Sequence, residues 1–262
     1  MPELPDVEVY RQYLQTKTLH QPIEEVHVES FSILLETTAQ GLGHALKHKS
    51  FHTINRHGKY LFLSIEDEKW LVIHFGMTGD IKYFYNEADT PNYTRLLINF
   101  ENGYRLAYIS PRKLGRIALT DLPQTWIEKR KLGPDALDLS EKQFIELTEQ
   151  QRGSVKYWLM DQNNIAGIGN IYSDEILFQS GIHPKTSLSS LDTEALRKLY
   201  KTMSKVLIKA ISVHANPERM PSNFLLPCRK KGGHCLACDT PLKSVKAAGR
   251  TAWYCPYCQT GY

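Results

Sequence analysis

Removal of Met1 from this chain would leave Pro2 with a free secondary amine, and the next side chain, Glu3, is a carboxylate. An amine attacks carbon only when unprotonated, and an α-amino group has a reference pKa of about 7.7–8, against about 10.4 for a lysine side chain. A terminal proline therefore needs no burial to act as a nucleophile. With the aldehyde carbon of a sugar it would form an iminium, a strong electron sink for eliminations, and Glu3 is placed to act as an acid. The same residues also fit a plainer role, in which a small second residue lets Met1 be trimmed and nothing more.

A second group of reactive side chains lies at the other end. All five cysteines follow position 227, and four form two C-x2-C pairs, Cys235 with Cys238 and Cys255 with Cys258, sixteen residues apart. Each pair can bring two thiolates to one tetrahedral ion, and the gap suits a hairpin that returns the second pair to the first. Disulfides are the competing arrangement, but an intracellular chain keeps such thiols reduced. The spacing predicts one structural Zn2+, closed by four thiolates, with Cys228 left as an unliganded thiol.

The elements that must position these groups are legible in outline. Residues 4–19 read as a helix, with Pro5 and Asp6 in its first turn and Val7, Tyr10 and Leu14 on an apolar stripe. From 23 to 120 the pattern becomes β, with short strands at Tyr60–Ile65, Trp70–Phe75, Ile81–Tyr85, Arg95–Phe100, Tyr104–Ile109 and Ile117–Thr120, and Asn102-Gly103 as a hairpin turn. Such a series predicts a β-sandwich or barrel. Lys131-Leu132-Gly133-Pro134-Asp135 reads as a linker, and helical periodicity follows. Ser140 and Gln143 suit a capping box, a helix is expected near 154–161, and Asp192 caps another over 192–213. Between them, Gly167-Ile168-Gly169-Asn170 opens a further helix. Either it is a structural tight turn, or its exposed amides hold a phosphate with help from Asn170.

At 262 residues the chain can bury substantial cores, as one large or two modest domains plus an appendage. Residues 207–262 hold eight Lys/Arg against two Asp/Glu, while the remainder hold twenty-four against twenty-six. A basic terminal module suggests a polyanionic partner, and a solvated basic face is the cheaper explanation. No apolar run approaches about 18 residues and no signal peptide opens the chain, so a soluble, intracellular, cytoplasmic protein without membrane association is expected.

Taken together, Pro2-Glu3-Leu4-Pro5, His57-Gly58-Lys59-Tyr60-Leu61, His74-Phe75-Gly76-Met77-Thr78-Gly79, Ala166-Gly167-Ile168-Gly169-Asn170-Ile171-Tyr172 and the four cysteines with Arg250 between them resemble the formamidopyrimidine-DNA glycosylase and endonuclease VIII family of base-excision repair enzymes. The resemblance spans nearly the whole chain. It implies a multidomain α+β fold: an N-terminal catalytic β-sandwich with a leading helix over residues 1–131, a helical domain with a helix–two-turn–helix over 132–227, and a zinc-finger β-hairpin over 228–262. It further implies a monomeric bifunctional glycosylase and abasic-site lyase acting on double-stranded DNA with oxidised bases or abasic sites, by β,δ-elimination. Pro2 would be the nucleophile at C1′, Glu3 the proton donor to the sugar ring oxygen, Lys59 a phosphate contact and proton donor, and Arg250 a phosphate contact that assists δ-elimination. Asn170 would grip phosphate with Arg250, while Arg152 and Lys156 occupy basic DNA-binding positions. Base extrusion leaves space to fill. Met77, Arg112 and Leu114 resemble the residues that fill it.

Three departures accompany the likeness. Asp6 stands where the family often has Glu, Leu114 replaces a wedge phenylalanine, and only thirteen residues separate His214 from Cys228. That last segment is shorter than in relatives whose loop covers an everted 8-oxoguanine, so a strong preference for that base is not expected. Two alternatives of other classes remain: an inactive damaged-DNA-binding module of the same fold, and a zinc-ribbon scaffold for protein contacts.

Overall fold

Tyr60–Ile65 carries apolar side chains at nearly every position, which a strand needs only when both faces of its sheet are covered. A computed structural model of the chain, which describes residues 1–66, 69–149 and 151–260, shows both covers. Leu61, Leu63 and Ile65 point into one core, while Phe62 points the other way onto Val72, Ala118 and Trp126.

The chain forms two compact units, residues 1–2 with 6–130 and residues 3–5 with 131–262. In chain order the first contains α1 (Leu4–Lys17, whose first two residues count with the second unit), β1 (Ile23–Val28), α2 (Ala39–Leu46), β2 (Phe51–His57), β3 (Tyr60–Ile65), β4 (Lys69–His74), β5 (Asp80–Phe84), β6 (Thr94–Phe100), β7 (Arg105–Ile109), β8 (Arg116–Thr120) and α3 (Pro123–Lys129). Two four-stranded antiparallel sheets, ordered β2-β3-β4-β8 and β1-β6-β7-β5, enclose a shared core with Val7 and Leu14 of α1. This is the sandwich the strand series predicts. Asn102-Gly103 makes the β6–β7 turn, where the Asn102 side chain accepts the Tyr104 N–H at 3.0 Å and Gly103 adopts φ +80°.

The uninterrupted β reading of 23–120 is corrected at α2, and α3 follows it. Gly41 and Gly43 hide α2 from propensity, yet Thr38 caps Gly41 N and Leu42 and Leu46 are buried.

The second unit contains α4 (Glu141–Thr148), α5 (Val155–Met160), α6 (Asn170–Ser180), α7 (Thr193–Ser212), β9 (Lys243–Ala247) and β10 (Arg250–Tyr254). Ser140 and Gln143 form the capping box on α4, and Asp192 caps α7. The helices bury one apolar cluster that includes Leu4. Phe178 of α6 and Leu225 pack with Cys235, Leu242 and Cys255 in a smaller one around the β9–β10 hairpin. Of the residues expected in the finger, Gly261 and Tyr262 lie outside the described residues. Among the described residues no helix is long and apolar enough to cross a membrane.

Candidate active site and nucleic-acid interface

A helix start leaves its first amides without intrahelical acceptors. At α6 they converge on Glu3: Gly169 N and Tyr172 N donate to one carboxylate oxygen at 2.8 and 3.1 Å, and Ile171 N donates to the other at 2.8 Å. Glu3 is fully buried there. A Cβ at position 169 would overlap the Glu3 carboxyl, and one at Gly167, itself at φ +117°, would press into the Leu4 side chain. Leu4 N in turn donates to Gly167 O at 3.0 Å. The two glycines are thus shaped around residues 3 and 4. Of the two readings of this turn, the structural one describes these amides: an internal carboxylate, not a phosphate, takes three of them.

A correction concerns Lys156. The expectation of a DNA contact fails because the side chain is 0% exposed. Its Nζ donates to Asp174 Oδ1 at 2.6 Å, Ser173 Oγ at 2.7 Å and Asn170 O at 3.3 Å. Burial pushes the Lys156 pKa below the usual lysine range, and Asp174 opposes that shift. Arg152, by contrast, is exposed, as is Arg250 at the first position of β10. Arg250 shares with Tyr157, Met160, Gln162 and Asn163 a surface cleft of about 490 Å³. Asn170 sits at the start of α6, where its Nδ2 donates to Thr251 O at 3.2 Å, so Asn170 meets the same strand that carries Arg250. An amide nitrogen has two hydrogens, and Thr251 uses one.

Glu175, beside Asp174, is also fully buried. It accepts Leu225 N at 3.1 Å, Leu226 N at 2.8 Å and Gln179 Nε2 at 2.9 Å, anchoring the segment between α7 and the first cysteine pair. Burial nevertheless dominates and raises its pKa from 4.5 to about 7. A carboxyl whose folded-state pKa is raised stabilises the fold below its unfolded value and loses that contribution as pH climbs through the folded value. Between pH 4.5 and 7 the loss should approach about 3 kcal/mol. Urea unfolding at pH 5 and pH 8 should show it, and Glu175→Gln should remove most of the slope. An equal slope in both proteins would exclude Glu175 as its source.

In the first unit, Lys59 is the second residue of the two-residue β2–β3 turn and is only 9% exposed. His74, at the end of β4, is a group that sequence reasoning quoted without assigning a role. Its Nδ1 accepts Gly76 N at 3.3 Å, and burial, reinforced by the Lys59 and Arg116 charges, lowers its pKa to about 4. The imidazole is therefore neutral near pH 7 with its proton on Nε2, a hydrogen-bond donor beside Lys59 that carries no charge. Only the presence of His74 two residues before Gly76 could have signalled it; burial is not visible in a short motif.

Met77 and Leu114 are 40% and 42% exposed, unusual for large apolar side chains, and Arg112, two residues before Leu114, is exposed too. Their loops meet backbone to backbone. A Cβ at Gly76, which has φ +60°, would come within 2.5 Å of the Leu114 carbonyl carbon and 2.6 Å of Gly115 N.

The four cysteine Sγ atoms lie within 4.8 Å of one another, at 3.8 Å for Cys235–Cys258 and 3.5 Å for both Cys238–Cys255 and Cys238–Cys258. Tetrahedral Zn2+ with bonds of about 2.3 Å would space its sulfurs about 3.8 Å apart, so the set fits that ion. The hairpin fills the gap between the pairs, as the spacing predicts. Cys228 lies outside the set, buried, with Sγ 3.2 Å from Leu225 O.

Residues 1–117 match the formamidopyrimidine-DNA glycosylase N-terminal domain, and residues 132–221 match the formamidopyrimidine-DNA glycosylase H2TH domain. The formamidopyrimidine-DNA glycosylase of Marinobacter nauticus is 31% identical over 271 residues, covering 99% of this chain and 100% of that protein. The chain belongs to the formamidopyrimidine-DNA glycosylase family. Its fold agrees: the Lactococcus lactis Fpg solved with abasic-site DNA superposes with a TM-score of 0.88 at 30% identity, covering 98% of this chain and 99% of that one. A MutM solved with carbocyclic 8-oxo-G DNA gives a TM-score of 0.88 at 29% identity over the same shares. In family terms, the glycine-bearing turn of the H2TH domain is the seat of Glu3.

Proposed function

We propose that the chain is a bifunctional DNA glycosylase and abasic-site lyase that excises oxidised bases from double-stranded DNA. The observation that carries this reading is the seat of Glu3, because it fixes a carboxylate one residue from the amine that Met1 removal would release. Pro2 nitrogen attacks C1′ of the damaged nucleotide as the bond to the base breaks, and the base leaves with the bonding electron pair and takes its proton from water. Glu3 collects the proton shed by the attacking amine and passes it to O4′, opening the sugar to an iminium. That cation acidifies the C2′ hydrogen; its loss expels the 3′ phosphate, with Lys59 supplying a proton, and a second elimination assisted by Arg250 expels the 5′ phosphate. Both departures are eliminations driven by one electron sink.

DNA would be held by Asn170, Arg250 and Arg152, with Met77, Arg112 and Leu114 filling the space of the everted base. Cys235, Cys238, Cys255 and Cys258 would hold one Zn2+, which supplies rigidity to the hairpin and, with four thiolates, no open position. The corresponding division is a catalytic sandwich over 1–131, a helical domain over 132–227 and a finger over 228–262.

Thirteen residues between His214 and Cys228 leave little chain to fold over a flipped purine, and Glu175 and Gln179 already hold part of it through Leu225, Leu226 and Asn223. Broad substrate use follows. Single-turnover excision of ring-opened purines and oxidised pyrimidines should be at least as fast as that of 8-oxoguanine opposite cytosine in matched duplexes. An 8-oxoguanine rate tenfold above both would show that this segment does not limit recognition, and no excision of any of them would favour an inactive damage-binding module.

A further inference from the structure

Helix α6 and strand β10 meet through two hydrogen bonds whose spacings agree. On the helix the partners are Asn170 and Asp174, one turn apart; on the strand they are Thr251 and Trp253, two residues apart. Four helical residues rise about 6 Å and two strand residues about 6.6 Å, so both bonds close together in a single register. Asn170 Nδ2 donates to Thr251 O at 3.2 Å, and Trp253 N donates to Asp174 Oδ2 at 3.0 Å. β10 pairs with β9 on one side only, so these bonds occupy the edge that would otherwise be open.

Asp174 is the stronger half of this clamp. It is fully buried and receives Lys156 Nζ on Oδ1 at 2.6 Å, with Arg229 Nε at 2.8 Å and NH2 at 2.7 Å on Oδ2. Both cations also approach Asn170 O, Lys156 at 3.3 Å and Arg229 at 3.5 Å. The carboxylate thus holds two charges under the first turn of α6 while fixing the strand by its backbone.

We infer that Asp174 is a positioning residue for the phosphate grip, setting Arg250 against Asn170 through the register of β10 on α6. The inference rests on the proposed DNA-binding role of Arg250. It gives the buried ion cluster a task that a metal site at the far end of the hairpin does not perform: thiolates close the finger, whereas Asp174 sets where its arginine stands. Lys156 then serves DNA binding indirectly, by holding Asp174.

The test uses the full chain and a duplex with a tetrahydrofuran abasic analogue, titrated across a series of KCl concentrations. Asp174→Ala should lower affinity about tenfold and flatten the salt slope by about one unit, the signature of one lost phosphate contact. In an Arg250→Ala background the same change should add less than twofold, because its target is already gone. Zinc content should stay at one per chain, and the Trp253 amide should lose hydrogen-exchange protection. If Asp174→Ala does not fold, Asp174→Asn, which keeps one acceptor oxygen, should show the same pattern at reduced size. Unchanged slope and affinity in a folded variant, or losses that add fully to those of Arg250→Ala, would overturn the inference. Failure of the unmodified chain to bind the duplex would instead count against the DNA-binding reading; the Trp253 amide then still reports whether Asp174 sets the strand, and a protected amide in Asp174→Ala would overturn that.

Discussion

Borohydride should trap the Met1-trimmed chain covalently on abasic-site duplex, and Pro2→Gly should cut the trapped yield on the order of 100-fold. Glycine keeps an α-amine at the same place, so loss of a nucleophile as such is not the reason. A secondary amine forms an iminium that is permanently charged, whereas the imine of a primary amine must gain a proton before it draws electrons as strongly. Proline also fixes the direction of its nitrogen through the ring. Peptide mapping of the reduced adduct should place it on Pro2. An adduct on a lysine, or full trapping by chain that retains Met1, would remove Pro2 from the mechanism and return it to its plainer role in trimming.

Gly169→Ala should slow excision about as severely, because a 1 Å displacement of a reacting group can cost about 100-fold. The new methyl would stand where the Glu3 carboxyl now lies. Either Glu3 leaves its three amides or the start of α6 shifts, and both move the terminus that carries the amine. Overpacking of this kind costs about 1–3 kcal/mol, so the protein should still fold. Cleavage of a preformed abasic site should fall less than removal of a base, since no glycosidic bond has to break. Normal single-turnover excision by Gly169→Ala would show that the seat of Glu3 is incidental.

The sequence speaks most clearly where the reason for a residue is close by in the chain. Ser140 and Gln143 cap α4 three positions apart, Asn102 and Gly103 turn a hairpin between two runs, and the paired cysteines carry their clustering in their spacing. Gly167 and Gly169 are the opposite case. Their partners are Leu4 and Glu3, more than 160 positions away, so the motif reads as a tight turn with no visible reason for its glycines until the chain is folded. Lys156 misleads for the same reason: a lysine on a short helix reads as surface, and only Asp174, eighteen positions on, makes its burial tolerable. The α2 helix was hidden differently, by two glycines whose low propensity is overridden by a cap and two buried leucines.

The contact at Gly76 has a consequence for anyone who would transplant or remodel the residues proposed to fill the space of an everted base. With no side chain between them, the loop carrying Met77 and the loop carrying Arg112 and Leu114 share a fixed separation that neither can alter alone. Exchanging Leu114 for an aromatic residue changes the reach of one tip and leaves that separation untouched, whereas any side chain at position 76 pries both loops apart. The unit to transplant is therefore a pair of loops that meet at a glycine, and a graft that carries the three tips without that contact would deliver them at a different spacing.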